Sequence, residues 1–145
     1  MRGIRDVTVG ELMSKSVVTV TPDTTIEALA GLMSAHDFNA FPVVSEVGAL
    51  LGLVSRLDLF RVYLLPYRSF IPSLEDTWVS SVGAIMSRGV IALYGSEPAI
   101  KAIALMVEHR IRTIPIVTDG VAGTVVIGIV TRRDLTAALE PVKEG

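Results

Sequence analysis

The sequence predicts an α/β (α+β) fold in which two related β-α-β-β-α units pack together as one domain. A seven-residue motif occurs twice, each time after a strand-like hydrophobic run and before a helix-like run. Two upstream segments repeat in the same order. The repeated pairs are Gly52-Leu53-Val54-Ser55-Arg56-Leu57-Asp58 with Gly128-Ile129-Val130-Thr131-Arg132-Arg133-Asp134, residues 9–14 with 82–87, and residues 41–44 with 114–117. These matches indicate an internal duplication.

The two copies differ in length by three residues. The motif recurs after 76 residues, whereas the two upstream segments recur after 73. Surface hairpin tips tolerate insertions, so we place the extra residues of the second copy around residues 119–123.

Each copy starts with a short helix-prone segment that ends in Met-Ser, followed by a β-rich run at residues 17–20 or 90–93. A helix comes next. In the first copy Thr24 and Glu27 have the spacing of a capping box, and in the second copy the helix follows residues 96–98. Apolar side chains at helical spacing are predicted to face the core: Ile26, Leu29, Ala30 and Met33 in the first copy, and Ile100, Ile103, Ala104 and Val107 in the second.

The second half of each copy reads as a hairpin and a final helix. Buried strands are predicted at residues 41–44 and 50–54, and again at 114–117 and 125–130. The last helix starts at Ser55 or Thr131.

Composition narrows the class of protein. The chain has 145 residues, half of them apolar, and a copy of roughly 60 residues would be marginally stable alone. No apolar run reaches the ~18 residues of a membrane span, and the start at residues 1–6 lacks the hydrophobic stretch of a signal peptide, so we expect a cytoplasmic protein without membrane contact. The absence of cysteine excludes disulfides and thiolate sites. A net charge of −2 gives no reason to expect nucleic acid as the primary partner.

The segment between the copies predicts an association surface. Five of the eight aromatic residues lie between Phe60 and Trp78, and the helix after Asp58 is apolar on nearly every side. A monomer would not expose such a helix to water, so we predict that a partner covers it, most simply in a homodimer.

The paired units, the Pro-hydrophobic-Val strand and the Gly-hydrophobic-x-Ser/Thr-x-x-Asp motif before the last helix resemble the tandem CBS domain pair, or Bateman module, over nearly the whole chain. The resemblance implies repeat 1 at residues 7–66, an aromatic-rich linker at 67–78 and repeat 2 at 79–141. It further implies pseudo-two-fold packing with two clefts between the repeats and a disc-like dimer. The implied ligands are AMP, ADP, ATP or S-adenosylmethionine, which usually regulate another protein. Here that protein would be a separate chain, and no obligatory cofactor is expected.

The Ser55/Asp58 and Thr131/Asp134 pairs allow two interpretations. Ser/Thr-x-x-Asp is a helix capping box that needs no ligand. A carboxylate can also accept hydrogen bonds from the two adjacent hydroxyls of a ribose. The family places ribose on this aspartate and sugar or phosphate oxygens on the neighbouring hydroxyl, and both copies carry both residues.

Arginines distinguish the two copies. Arg110, Arg112 and Arg132 belong to the second copy, where the first has Asp37, Asn39 and Arg56. Residues 7–66 contain three basic and six acidic residues, against six and five in residues 79–141. We therefore predict that a phosphorylated ligand binds more tightly in the second copy, unless these arginines form surface ion pairs.

The remaining candidates are weaker signals. The resemblance suggests that main-chain groups around Val18 and Ile91 recognise the adenine edge. His36 and His109 occupy matching positions, but no second ligand lies at metal-binding spacing, so we predict structural roles and no metal site. Met13 and Met86 are predicted to be core residues.

Three functions remain open at this point: a non-catalytic sensor of adenosine ligands, an interaction module with vestigial sites, and an enzyme. The third has little support, because the sequence contains no HExxH, P-loop or Gly-x-Gly-x-x-Gly motif.

Overall fold

The computed structural model describes residues 3–64 and 81–139, which form two compact units. The central unit is Val18–Val90, and the terminal unit combines Met1–Val17 with Ile91–Gly145. The predicted linker at 67–78 lies outside the described residues, as do Tyr67, Phe70 and Trp78.

Each unit combines most of one sequence repeat with the leading segment of the other. The first leading segment contains helix α1 (Val9–Leu12) and belongs to the terminal unit. There the Ser14 main-chain N–H donates to the carbonyl of Ile129 at 2.8 Å. The second leading segment contains a 3-10 turn (Val82–Ala84) and belongs to the central unit, where the Ser87 N–H donates to Leu53 at 2.8 Å. The repeats are therefore interleaved along the chain.

The glycine of the repeated motif makes this interleaving possible. A Cβ on Gly52 would lie 2.6 Å from the Ser87 carbonyl oxygen, and a Cβ on Gly128 would lie 3.0 Å from that of Ser14 and against the Met13 thioether. Only glycine allows the leading segment to approach the strand this closely. The motif glycine therefore serves packing rather than phosphate binding.

The central unit is a two-stranded sheet with two helices. Helix α2 (Ile26–Ala35) precedes β1 (Ala40–Val44), which pairs antiparallel with β2 (Leu50–Ser55), and α3 (Arg56–Leu64) follows directly. The predicted cap at Thr24 is wrong by one residue, because Thr25 is the N-cap and its hydroxyl accepts from the Ala28 N–H at 3.0 Å. Thr24 instead accepts from the Thr21 N–H at 3.0 Å. The buried core contains Val20, Ile26, Leu29, Met33, Phe41, Val43, Val54, Leu59 and Val82.

The terminal unit combines α1 with a three-stranded sheet in the order β3-β4-β5 and two longer helices. The elements that follow α1 in this unit are β3 (Leu93–Tyr94), α4 (Ala99–His109), β4 (Thr113–Gly120), β5 (Gly123–Thr131) and α5 (Arg132–Ala138). Strand β3 pairs parallel with β4, and β4 pairs antiparallel with β5 as far as Gly120 opposite Gly123. The longer hairpin ends where the extra residues were predicted. The buried core contains Val9, Leu93, Ala99, Ala102, Met106, Ile114, Ile116, Val130 and Leu135.

The predicted core stripe of α4 is wrong except for Ile103, which is partly buried and packs against the core. Its buried residues are Ala99, Ala102 and Met106, whereas Ile100 is 41% exposed and Val107 is 74% exposed. The helix is apolar on two adjacent faces, and the face that carries the alanines packs into the core. An apolar stripe is consequently left at the surface.

The predicted β-rich runs are mostly irregular. Within residues 17–20 only Val20 forms a bridge, parallel to Val43, and the run at 90–93 contributes only Leu93 to β3. Both runs lie where the chain passes from one unit to the other, so only their ends belong to a sheet.

Among the helices within residues 3–64 and 81–139, none combines the length and the apolar composition that crossing a bilayer requires.

Candidate functional site

The terminal unit holds the Thr131/Asp134 pair at the start of α5. The Thr131 N–H donates to Asp134 Oδ2 at 2.9 Å, and the Thr131 hydroxyl donates to the same oxygen at 3.1 Å. The Asp134 N–H lies 3.3 Å from the Thr131 hydroxyl oxygen, which completes a capping box. Both bonds that the Asp134 carboxylate accepts use Oδ2, and Oδ1 has no hydrogen-bond partner within residues 3–64 and 81–139. The capping role is therefore present, and it leaves one carboxylate oxygen for a ligand.

In the central unit, both carboxylate oxygens of the matching Ser55/Asp58 pair accept hydrogen bonds. The Ser55 N–H donates to Asp58 Oδ2 at 2.8 Å, and the Asp58 N–H donates to the Ser55 hydroxyl oxygen at 3.1 Å. Asp58 Oδ1 accepts from the Arg61 guanidinium at 3.2 Å. The Asp58 side chain is only 13% exposed, against 70% for Arg61. Both oxygens of this carboxylate already have donors.

Arg56 has a structural bond that its counterpart does not share. Its guanidinium donates to the Phe38 carbonyl oxygen at 2.6 Å and so fixes the start of α3 against the loop before β1. Arg132, at the matching position, is exposed and forms no side-chain hydrogen bond in the described part of the chain. The predicted site residues are thus arranged differently in the two units.

Thr113 is a further candidate for the site that the sequence prediction missed. It lies directly opposite Thr131 in the β4–β5 ladder and is 4% exposed, and no hydrogen bond of its hydroxyl occurs within residues 3–64 and 81–139. The matching pair in the central unit is Ala40 opposite Ser55. Counting back from Pro115 to the residue opposite Thr131 would have identified Thr113, because strand register places the two side chains on one face.

Val18 is the first residue of the central unit, and Ile91 is the first residue of the second part of the terminal unit. Both are partly buried and lie outside the strands. Their main-chain groups form no hydrogen bond with the described residues. They therefore have main-chain donors and acceptors to offer, as the adenine prediction requires, and each belongs to the same unit as one hydroxyl–aspartate pair.

The arginines of the terminal unit gather in a groove between α4 and α5. We call it the arginine groove; it has a volume of about 470 Å³ and is lined by Ile103, Met106, Val107, Arg110, Ile111, Arg112, Arg132, Leu135, Thr136 and Leu139. None of the three arginines forms an ion pair with a residue in the ranges 3–64 and 81–139. Thr131 and Asp134 do not line the groove. The structure thus brings the three arginines together, beside the hydroxyl–aspartate pair rather than around it.

The histidines lie in different surroundings. His36 stacks on Phe38, with ring centroids 5.8 Å apart, and meets the edge of Phe41. His109 lies 3.5 Å from the exposed carboxylate of Glu108. Among the described residues, no cluster of His, Asp or Glu has the composition of a metal site.

Two surface residues near β3, Tyr94 and Glu97, have shifted pKa values. The Tyr94 hydroxyl donates to Asp119 at 2.9 Å, and this bond and the carboxylate charge raise the pKa of Tyr94. The Glu97 carboxylate accepts from the Lys101 ammonium at 2.5 Å and from the Tyr94 N–H at 2.8 Å. These two bonds lower the pKa of Glu97. These contacts tie the longer hairpin to β3 and lie outside the candidate site.

Comparison with known proteins places this geometry in a family. The chain is 31% identical over 143 residues to a CBS domain-containing protein of Dictyostelium discoideum, which covers 95% of this chain and 94% of that protein. The CBS domain pair of protein MJ0100, solved with 5′-methylthioadenosine and S-adenosyl-L-methionine, superposes with a TM-score of 0.75 at 25% identity and covers 90% of this chain and 94% of that one. CBSX2 in complex with AMP gives a TM-score of 0.76 at 25% identity, with 91% and 95% covered.

Some relatives are much longer enzymes. The match to inosine-5′-monophosphate dehydrogenase of Methanocaldococcus jannaschii is 27% identical and covers 86% of this chain but only 22% of that enzyme. The sequence model of the CBS domain matches residues 9–65 and 82–141, which is most of the chain. The chain therefore belongs to the CBS domain family, with two copies of the domain.

Proposed function

We propose that the chain is a non-catalytic regulatory module that binds an adenosine-containing ligand at its hydroxyl–aspartate pairs. The observation that carries the proposal is the Asp134 carboxylate, which holds the helix cap with one oxygen and keeps the other without a partner in the described residues. A ribose diol needs such an acceptor. The Thr113 and Thr131 hydroxyls add two polar groups beside it.

The relatives support the adenosine class of ligand. Solved CBS pairs of similar fold carry AMP in one case and 5′-methylthioadenosine with S-adenosylmethionine in another. Adenosine with a 2′,3′-diol is common to these ligands, whereas the 5′ substituent differs. For this chain we propose the shared adenosine as the recognised part.

We propose that the phosphorylated ligand prefers the terminal unit. Arg112 and Arg132 have no carboxylate partner among residues 3–64 and 81–139, and they adjoin Thr113 and Thr131 in sequence. Their positive potential favours an anion. In the central unit Arg56 donates to Phe38 and Arg61 to Asp58, so the two arginines at its hydroxyl–aspartate pair are already engaged.

A second function has support in the central unit. Both oxygens of Asp58 are engaged without a ligand, as expected if this pair only caps α3. If both units behaved in this way, the chain would act as an interaction module with vestigial sites.

A thermal-shift panel of AMP, ADP, ATP, S-adenosylmethionine and NADH distinguishes these functions. A ligand at a hundredfold excess over its Kd stabilises the folded state by about 2.7 kcal/mol, which raises the melting temperature by roughly 5 to 10 °C for a domain of this size. We expect at least one nucleotide to produce this shift. If no member shifts the melting curve at millimolar concentration, the interaction module replaces the sensor.

We also propose that the chain forms a homodimer. In helix α3 the side chains of Leu57, Phe60, Tyr63 and Leu64 are 62, 52, 54 and 48% exposed. Four large apolar side chains on one nine-residue helix form a surface that association would cover. Sedimentation equilibrium is expected to give twice the chain mass, and a monomer at tens of micromolar would contradict this proposal.

The regulated partner is proposed to be a separate protein, and the location to be the cytoplasm. The absence of cysteine is compatible with a reducing compartment.

A further inference from the structure

Arg61 is the residue through which the two aspartates of the hydroxyl–aspartate pairs come to differ. It follows Asp58 by three residues in α3, a spacing that brings two side chains together on one face of a helix. The residue at the same distance from Asp134 is Ala137, whose methyl group cannot donate a hydrogen bond. One side chain therefore accounts for the difference between Asp58 Oδ1, which has a donor, and Asp134 Oδ1, which has none in the described part of the chain.

The contact between Arg61 and Asp58 is one that a ligand can displace. The guanidinium lies 3.2 Å from Oδ1, and the Arg61 side chain is 70% exposed, so it can turn into water with little loss of packing. Exposed ion pairs contribute little to stability, because water and salt compete for both charges. The other oxygen of Asp58 accepts from the Ser55 N–H at 2.8 Å and holds the helix cap. Oδ1 is therefore the oxygen at which a ligand and Arg61 compete.

We propose that Arg61 is a specificity-determining residue, which occupies the acceptor oxygen of the central pair and competes there with a ribose diol. The central pair is then a weakened site rather than a vestigial one. This inference rests on the proposed function and adds the reason why the central unit binds its ligand more weakly. Salt screens the ion pair but acts much less on bonds from neutral hydroxyls, so the competition weakens as the ionic strength rises.

Adenosine is the probe that tests the competition, because it carries the ribose diol without a phosphate that Arg61 could attract. Titration calorimetry uses the whole chain with Asp134→Asn, which weakens the terminal pair, so that the heat reports the central pair. In that background Arg61→Ala, which copies Ala137, is expected to raise the affinity for adenosine about two- to fivefold, the range of a surface ion pair. Raising the salt from ~20 mM to ~0.5 M should remove most of this gain.

Two variants in the same background are the controls. Arg61→Lys keeps the positive charge next to Asp58 and should leave most of the competition in place. Arg88→Ala removes an exposed arginine elsewhere in the central unit and should not change the affinity. Melting curves without ligand show whether each variant is folded.

The reciprocal change tests the same competition in the terminal unit. Ala137→Arg, in an otherwise wild-type chain, places a guanidinium three residues after Asp134 and is expected to lower the affinity for adenosine about two- to fivefold. This loss should also shrink at high salt. Ala137→Met, which adds length without charge or a donor, is the control and should change the affinity less. An equal loss in both variants that does not respond to salt would show that bulk blocks the site, and would contradict the inference.

Three results for the central unit overturn the inference. Weaker binding after Arg61→Ala would show that Arg61 assists the ligand. Unchanged binding would show that it does not compete at Asp58. No binding of adenosine in the Asp134→Asn background, with or without Arg61, would leave the central pair as a helix cap only. In all three cases the proposed function still stands if Asp134→Asn weakens binding in the otherwise wild-type chain, and it fails if neither aspartate variant does.

Discussion

Replacing Asp134 with asparagine tests the ribose assignment most directly. The change keeps the size of the side chain and one oxygen for the cap, but it removes the negative charge and replaces one acceptor oxygen with a donor. Two bonds to Oδ2, at 2.9 and 3.1 Å, hold the start of α5. Weakening them should cost about 0.5 to 1 kcal/mol of folding stability, which leaves the protein folded.

The effect on binding should be larger than the effect on stability. Hydrogen bonds from ribose hydroxyls to a charged acceptor contribute roughly 1.5 to 3 kcal/mol. Their loss corresponds to an affinity lower by about 10- to 150-fold. Titration calorimetry with AMP measures this change, and melting curves without ligand measure the cost to folding.

The ligand offers a matched control for the same contact. An AMP analogue that lacks both ribose hydroxyls should bind wild-type protein as weakly as AMP binds Asp134→Asn. Combining variant and analogue should then cause little further loss, because both changes remove one interaction. Additive losses would show that the carboxylate acts elsewhere.

Asp58→Asn is the control from the other unit. Because Asp58 already accepts a hydrogen bond from Arg61 at 3.2 Å, we expect Asp58→Asn to lower the affinity of the tighter AMP-binding step by less than Asp134→Asn does. The proposal that the terminal unit binds more tightly is refuted if Asp58→Asn abolishes that step in the titration and Asp134→Asn preserves it. The ribose assignment itself fails if neither variant weakens binding in folded protein.

Three further predictions concern the motif glycine, the candidate site and the surface near β3. Gly128→Ala should lower the free energy of unfolding by about 1 to 3 kcal/mol in chemical denaturation, because the added Cβ would lie 3.0 Å from the Ser14 carbonyl oxygen of the leading segment. The control Gly31→Ala, which has open space in helix α2, should raise the free energy of unfolding by about 0.5 to 1 kcal/mol. Thr113→Val, which replaces a hydroxyl with a methyl group, should lower nucleotide affinity while stability stays the same or rises, and unchanged affinity would remove Thr113 from the site. The lowered pKa of Glu97 means that its contact with Lys101 stabilises at neutral pH and is lost as the pH falls through that pKa, so Lys101→Ala should slightly reduce the loss of melting temperature on acidification.

Local patterns in the sequence predicted the order of the elements, because turns, caps and strand runs depend on neighbouring residues. The exact cap did not follow, since Thr24 and Thr25 are both good N-cap residues and only packing selects Thr25. The buried face of α4 did not follow either. Its two apolar faces satisfy the same helical periodicity, and only packing in the folded chain buries the one with Ala99 and Ala102.

Long-range contacts account for the other differences. No local pattern shows that residues 9–14 join the second repeat and residues 82–87 the first, yet the bonds of Ser14 to Ile129 and of Ser87 to Leu53 require it. The sequence motif predicted the residues of the hydroxyl–aspartate pairs, but it did not predict the hydrogen bonds that each aspartate forms. That Asp58 meets Arg61 and that Asp134 keeps a free oxygen among the described residues depends on side-chain conformation.

The duplication explains why the two sites need not act alike. A duplicated unit must keep the glycine, the helix cap and the core, because folding of each unit depends on them. The proposed ligand contacts carry no such constraint, and here they differ: Arg56 stabilises the start of α3, whereas Arg132 is exposed and lines the arginine groove, which no carboxylate lines. Arg56 and Arg61 of the central unit are thus engaged in hydrogen bonds of that unit, whereas Arg132 of the terminal unit forms no side-chain hydrogen bond in the described part of the chain. We therefore propose that the terminal unit binds the nucleotide and that α3 of the central unit supplies the surface for association.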